Sequence, residues 1–108
     1  MKIKVGVIFG GETVEHEVSI ITAVQAMEHM NQDKYEIVPI YISKDRIWYT
    51  GNMLKEIDVY QDFNELKRYA KEVVLVKTKE GFCLQSTKGL FRKTVTDIVN
   101  AAHGELDK

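Results

Sequence analysis

Apolar residues along this chain fall into short runs with two different periods. Ile3, Val5, Val7, Ile8 and Phe9 make a near-continuous, β-branched-rich run closed by Gly10 and Gly11. A run of this kind predicts a strand buried on both faces. A polar loop follows, and then Ile20, Ala23, Val24, Met27 and Met30 recur at helical spacing. A helix is expected from about Glu17 to Met30, ended by Asn31-Gln32-Asp33. Glu15 and Glu17 sit at its start, where the helix dipole favours negative charge. Tyr35 to Ser43 reads as a second strand. Pro39 inside it cannot donate to a ladder, which argues for an edge position or a bulge. Lys44-Asp45-Arg46 reads as a turn and Ile47-Trp48-Tyr49 as a short strand, while Met53 to Tyr60 fits neither period. Asp62 to Ala70 predicts a short helix with Asp62 or Asn64 as cap. Val73 to Lys77 and Phe82 to Gln85 flank Lys79-Glu80-Gly81, the pattern of a hairpin. Lys88, Arg92 and Lys93 form a small basic cluster that reads as a solvated loop. Asp97 to Ala102 is a last apolar strand, ending at His103-Gly104.

Strand–helix alternation at the start predicts an α/β fold, three-layered and Rossmann-like, with a mainly parallel sheet. Ligands of such sheets sit beyond the carboxyl ends of the strands. Two loops reach that rim, Gly10 to His16 and His103-Gly104. The 108 residues suit a single domain, and the 44% hydrophobic and 29% charged content is an ordinary globular mix. Fifteen basic residues against 16 acidic ones leave a net charge of -1. That balance argues against a nucleic-acid or anionic-membrane partner. One cysteine, Cys83, excludes an internal disulfide and a Cys-based zinc site and fits a reducing cytosol. No window approaches the roughly 18 apolar residues of a membrane span. The first apolar run falls short of the roughly 7–15 residues of a secretory signal. A soluble, cytoplasmic protein is expected.

The candidate chemistry sits on the two rim loops. Gly10-Gly11 could cradle an anion with backbone amides, but G-x-G-x-x-G and the P-loop pattern are both absent. On its own the pair reads better as a tight strand-to-helix turn. Glu15 could pair with a substrate ammonium at the rim, or could be favourable charge at a helix start. Neighbouring Glu15, His16 and Glu17 point in different directions on a helix, so a shared metal is not expected. His103 would project at the ligand edge, or cap a strand at the surface. His16 and His29 read as helix-surface residues. Trp48 and the five tyrosines read as core, and Cys83 as an inert buried thiol.

The run Val5-Gly6-Val7-Ile8-Phe9-Gly10-Gly11-Glu12-Thr13-Val14-Glu15-His16-Glu17-Val18-Ser19 resembles the N-terminal signature of the D-alanine–D-alanine ligases. That signature is a strand followed by G-G-x-[ST]-x-E-[HR]-E-V-S opening a helix. The stretch from Asp97 to Gly104 is similar to the family's second N-terminal motif, a strand ending in H-G. The resemblance implies that residues 1–108 are the N-terminal, pre-ATP-grasp substrate-binding domain, with the ATP-grasp domain outside this chain. It implies a reaction in which ATP, with magnesium, phosphorylates one D-alanine and the amine of a second displaces phosphate. The product is D-alanyl-D-alanine for peptidoglycan. Glu15 matches the position that holds the ammonium of the first D-alanine, Val18 matches a position lining the same small pocket, and Ser19 lies beside it as a further substrate-binding candidate. His103 matches the histidine beside the first D-alanine and the developing acyl phosphate. The expected partners are D-alanine, the ATP-grasp domain and a second copy in a homodimer. No cofactor or metal is expected in this chain itself, and the fragment alone is expected to be inactive. The family's G-E-D-G continuation is replaced here by Glu105-Leu106-Asp107-Lys108. The alternative is a standalone Rossmann-like binding module that kept the fold without the enzyme.

Overall fold

The computed structural model describes residues 2–11 and 16–100. Seven strands form one sheet: β1 (Ile3–Gly10), β2 (Tyr35–Ile42), β3 (Trp48–Thr50), β4 (Lys71–Thr78), β5 (Gly81–Ser86), β6 (Arg92–Val95) and β7 (Asp97–Asn100). Helix α1 (His16–His29) links β1 to β2, and α2 (Phe63–Tyr69) precedes β4. The strand order is β6-β5-β4-β3-β2-β1-β7.

β1 lies between β2 and β7 and is parallel to both, as its two-sided burial requires. The remaining pairs, from β2–β3 to β5–β6, are antiparallel, so the sheet is mixed rather than mainly parallel. Connection length explains the difference. A parallel crossover needs a dozen or more residues, whereas β4 and β5 are joined across Thr78 and Gly81 by a turn that only a hairpin can use. Pro39 is interior to the sheet but beside the end of β3, whose register with β2 starts at Ile40. Its carbonyl accepts the Thr50 hydroxyl at 2.7 Å, so its amide position also faces the β3 side, where the missing N–H breaks no described rung.

The helices pack on one face. His16, Ile20, Ala23, Val24 and Met27 are the buried stripe of α1. They meet Val5, Val7 and Phe9 of β1, Ile37 and Tyr41 of β2, and Leu54 and Leu66. Residues 52–61, which fit neither period, form two 3-10 turns, Asn52–Lys55 and Ile57–Gln61. Asp62 caps α2, its carboxylate accepting from the amides of Asn64 and Glu65.

No described helix covers the second face; the sheet bends back and covers it. Ile8, Val38 and Ile40 there meet Val73, Leu84 and Val95, flanked by Trp48, Phe82, Phe91 and Ile98. The bend brings the two edge strands together. Thr96, between β6 and β7, donates its amide to Lys4 O of β1 at 2.8 Å. Gly6 makes room for it: a Cβ there would lie 2.9 Å from Ile40 Cδ1 and 3.6 Å from Val95 Cγ2.

Arg92 and Lys93 are therefore not loop residues but part of β6. Lys93 crosses to Glu36 of β2 at 2.6 Å, an ion pair that holds the Glu36 carboxyl below its usual range. Trp48 and four tyrosines are buried or half-buried, but Tyr69 is 63% exposed, on the outer side of α2. Cys83 is buried and free.

Candidate functional site

The carboxyl ends of β1, β2 and β7 share one edge of the sheet. Ile8 pairs with Asn100 and Gly10 with Ile42 in the two parallel ladders. The chain leaves β1 through two successive left-handed glycines, Gly10 at φ 88° and Gly11 at φ 94°. A Cβ on Gly10 would stand 2.4 Å from Ile42 O, a space no side chain could share. The Gly11 amide donates to the same Ile42 carbonyl at 2.8 Å.

From the α1 side, the Gly10 amide donates to Ser19 Oγ at 3.0 Å. The His16 ring is 3% exposed, with Nδ1 at 2.6 Å from Gly11 O and Nε2 at 2.8 Å from the Tyr41 hydroxyl. Tyr41 is held in turn by the rings of Phe9, Tyr49 and Tyr60. Burial, reinforced by the Glu17 charge, pushes its phenol up to about 12. His16 is thus a core residue, not the surface residue its type suggests. The helical stripe did carry the signal, because position 16 lies one turn before Ile20 on the buried face.

A cleft of about 590 Å³ opens beneath the first turn of α1, with His16, Ile20, Tyr41, Tyr60 and Leu66 among its walls. Lys44 and Glu17 pair at its mouth at 2.9 Å. The hydrogen bond from Lys44 holds the Glu17 carboxyl below its usual range.

Of the residues singled out in the sequence, Glu15 and His103 lie outside the described residues. The expectation that they share one edge of the sheet falls there with them. Ser19 reaches the end of β1 and accepts the Gly10 amide, so its oxygen already carries a structural bond. Val18 is 60% exposed, off the packed face of α1. His29 is exposed at the end of α1, as its position suggested. No three His, Cys, Asp or Glu side chains gather as metal ligands among the described residues. No helix of the described residues is long and apolar enough to cross a membrane.

Comparison with known proteins decides the family. The family model described as the D-ala D-ala ligase N-terminus matches residues 4–106. This chain belongs to that family. The D-alanine–D-alanine ligase of Thermosipho melanesiensis is 36% identical over 102 residues, which are 94% of this chain and 28% of that protein. The VanG D-Ala:D-Ser ligase from Enterococcus faecalis superposes with a TM-score of 0.74 at 27% identity, over 93% of this chain and 29% of its own. The D-alanine–D-alanine ligase from Coxiella burnetii shares the fold, with a TM-score of 0.72 at 22% identity, over 90% of this chain and 27% of its own. The chain thus spans less than a third of the length of these ligases. It corresponds to a D-Ala–D-Ala ligase N-terminal domain.

Proposed function

We propose that this domain binds the first D-alanine of an ATP-dependent D-alanine–D-alanine ligase acting in the cytoplasm for cell-wall synthesis. The observation that carries the reading is the adjacency of β1 and β7. They are parallel neighbours, so Gly11 after β1 and Asn100 at the end of β7 stand at one edge of the sheet, and the segments that follow in sequence begin from there. Those segments hold the family's two motifs. In this reading Glu15 accepts charge-assisted hydrogen bonds from the ammonium of the first D-alanine. His103 steadies the negative charge that develops at its carboxylate, and Val18 and Ser19 complete the pocket.

The overall reaction joins two D-alanines through an acyl phosphate: the carboxylate of the first takes the γ-phosphoryl of ATP, and the amine of the second displaces phosphate. In this reading ATP and magnesium belong to the ATP-grasp portion that the family resemblance places outside residues 1–108. Residues 1–108 alone are inactive in this account.

The test is D-alanine-dependent phosphate release from ATP. Residues 1–108 would be fused to the remaining part of the Thermosipho melanesiensis ligase, in place of the portion they match. Activity in the joined protein and none in residues 1–108 is the expected result. A joined, folded protein that binds D-alanine without ligating it would favour a binding module.

A further inference from the structure

We propose that the cleft at the amino end of the parallel strands, where Lys2, Lys55, Lys71 and Lys93 converge, is an anion site for a small ligand carrying two or more linked phosphoryl groups. It lies at the opposite edge of the sheet from Gly11 and Asn100, and neither the site nor its test depends on the ligase reading.

The cleft exists because β3 is short. Its three residues pair only with residues 40–42 of β2, so residues 35–39 run on without a partner strand on that side. The space left there is a cavity of about 600 Å³, within the usual size of a small-molecule pocket. Four parts of the chain bring a lysine to its wall. Lys2 precedes β1, Lys55 ends the first 3-10 turn, Lys71 opens β4 opposite Thr50, and Lys93 comes from β6 on the folded-over half. Among the described residues, Glu36 is the one acidic side chain on that wall.

The charges do not balance. Glu36 is already taken by Lys93 at 2.6 Å. Lys2, Lys55 and Lys71 make no ion pair with any described residue. Lys55 is half-buried. Burial, with the like charges of Lys2 and Lys93, holds its ammonium below the usual lysine range, and Glu36 offsets this only in part. On a solvated convex face each lysine would keep its own water. Here four share one concavity, which focuses their field, on a chain whose net charge is -1. Like charges gathered in a half-buried cavity oppose folding, and conflicts of that sort mark functional sites. The wall holds lysines and, among the described residues, no arginine. Ammonium groups act on phosphate oxygens as point charges, whereas a planar carboxylate is matched best by the arginine fork. Several unpaired ammoniums around one cavity call for anionic oxygens on more than one centre, which linked phosphoryl groups supply. Tyr35, Tyr69 and Phe91 are on the same wall, where they would stack a base if those groups belong to a nucleotide.

The test is titration calorimetry of the 108-residue chain, shown to be folded by a thermal melt, with inorganic pyrophosphate and with ADP in magnesium-free buffer. Saturable binding is expected. Lys55→Gln should weaken it by about tenfold and Lys71→Gln by about threefold, the loss of one charge-assisted bond at a half-buried and at an exposed lysine. Glu36→Gln removes the opposing charge and frees Lys93, so it should strengthen binding by about threefold. Lys79→Gln makes the same charge change in the turn between β4 and β5, away from the cleft, and should leave binding as it is. The two probes separate the sources of the phosphoryl groups. With that pattern of variants, tighter binding of ADP assigns the site to a nucleotide, and equal or tighter binding of pyrophosphate assigns it to a free polyphosphate. No saturable binding of either probe, or equal losses in Lys55→Gln and Lys79→Gln, would overturn the proposal. If the 108-residue chain does not fold alone, the same titrations of the joined protein decide, through the differences between wild type and variants. The ligase reading stands or falls separately, on D-alanine-dependent phosphate release.

Discussion

The two halves of this sheet solve the same burial problem differently. Around β1, β2 and β7 the strands are parallel, and α1 covers one face. From β3 to β6 the strands are antiparallel and no described helix covers their second face; the sheet folds over to cover itself. Parallel strands need long connections that pass over the carboxyl edge, and those connections are where a ligand can be met. From β4 to β6 the strands return within a few residues and leave no such loops, whereas the long connection from β3 to β4 carries α2 and supplies Tyr60 and Leu66 to the cleft beneath α1. In the account proposed here the β4–β6 hairpins are scaffold for the D-alanine edge, and the connections that reach the carboxyl edge of β1, β2 and β7 are the ones that meet D-alanine.

Core truncations should separate the halves most sharply. Phe9→Ala removes the ring under the rim and should cost about 3–5 kcal/mol, and Leu84→Ala in the second core about 2–5 kcal/mol. Among molecules that remain folded, Phe9→Ala should also weaken the first D-alanine, whereas Leu84→Ala should not. Thermal melts with D-alanine kinetics check both, and equal kinetic losses would break the division.

The glycine pair gives the next largest effect. Gly10→Ala meets both a left-handed backbone and the Ile42 carbonyl, and should cost roughly 2–5 kcal/mol. Gly11→Ala meets the same backbone strain with nothing within 4 Å, and should cost only about 1–2 kcal/mol. Denaturant melts of the two variants should therefore differ; similar losses would mean that the close approach to β2 is not what requires Gly10.

Alkaline pH probes the aromatic cluster of the parallel half. The Tyr41 phenol is pushed from its ordinary 10.0 to about 12 by burial, and burial raises Tyr60 as well. Above pH 10 the unfolded chain releases these protons and the folded chain keeps them, so stability falls as pH rises from about 10 to about 12. Tyr41→Phe should flatten that fall in a series of melting temperatures against pH. An unchanged slope would place the alkaline loss elsewhere.

The smallest effect expected is at the seam between the halves. Lys93 and Glu36 are each more than a third exposed, so Lys93→Gln should cost at most about 1 kcal/mol, and less in high salt. A larger, salt-independent loss would make the pair a structural bolt across the fold.

The parallel half was also the more legible one. The β1 run, the α1 stripe and the common parallel direction of β1 and β7 all follow from apolar spacing and two rim motifs, while their adjacency came from the structure. β6 hid because Lys93 stands where an apolar residue would have marked the alternation, its charge met by Glu36 from a strand far away in sequence. The antiparallel pairings hid because strand periodicity carries no direction. The two 3-10 turns of residues 52–61 are too short to show a period. His16 was misread from residue type, though its place on the α1 stripe marked it as buried. Of the site, the signature around Glu15 was readable as a family pattern. The tie from His16 to Gly11 and Tyr41 needed coordinates, because it joins β1, α1 and β2.

The central claim is that the edge formed by β1 and β7 presents Glu15 to the first D-alanine. Steady-state kinetics of Glu15→Gln in the joined ligase, with each substrate varied in turn and a thermal melt as control, tests it most directly. Loss of one charge-assisted bond predicts a fall of about 10- to 150-fold in kcat/KM for the first D-alanine, a smaller change for ATP and a normal melt. An unchanged KM and turnover for D-alanine, with a normal melt, would contradict the account.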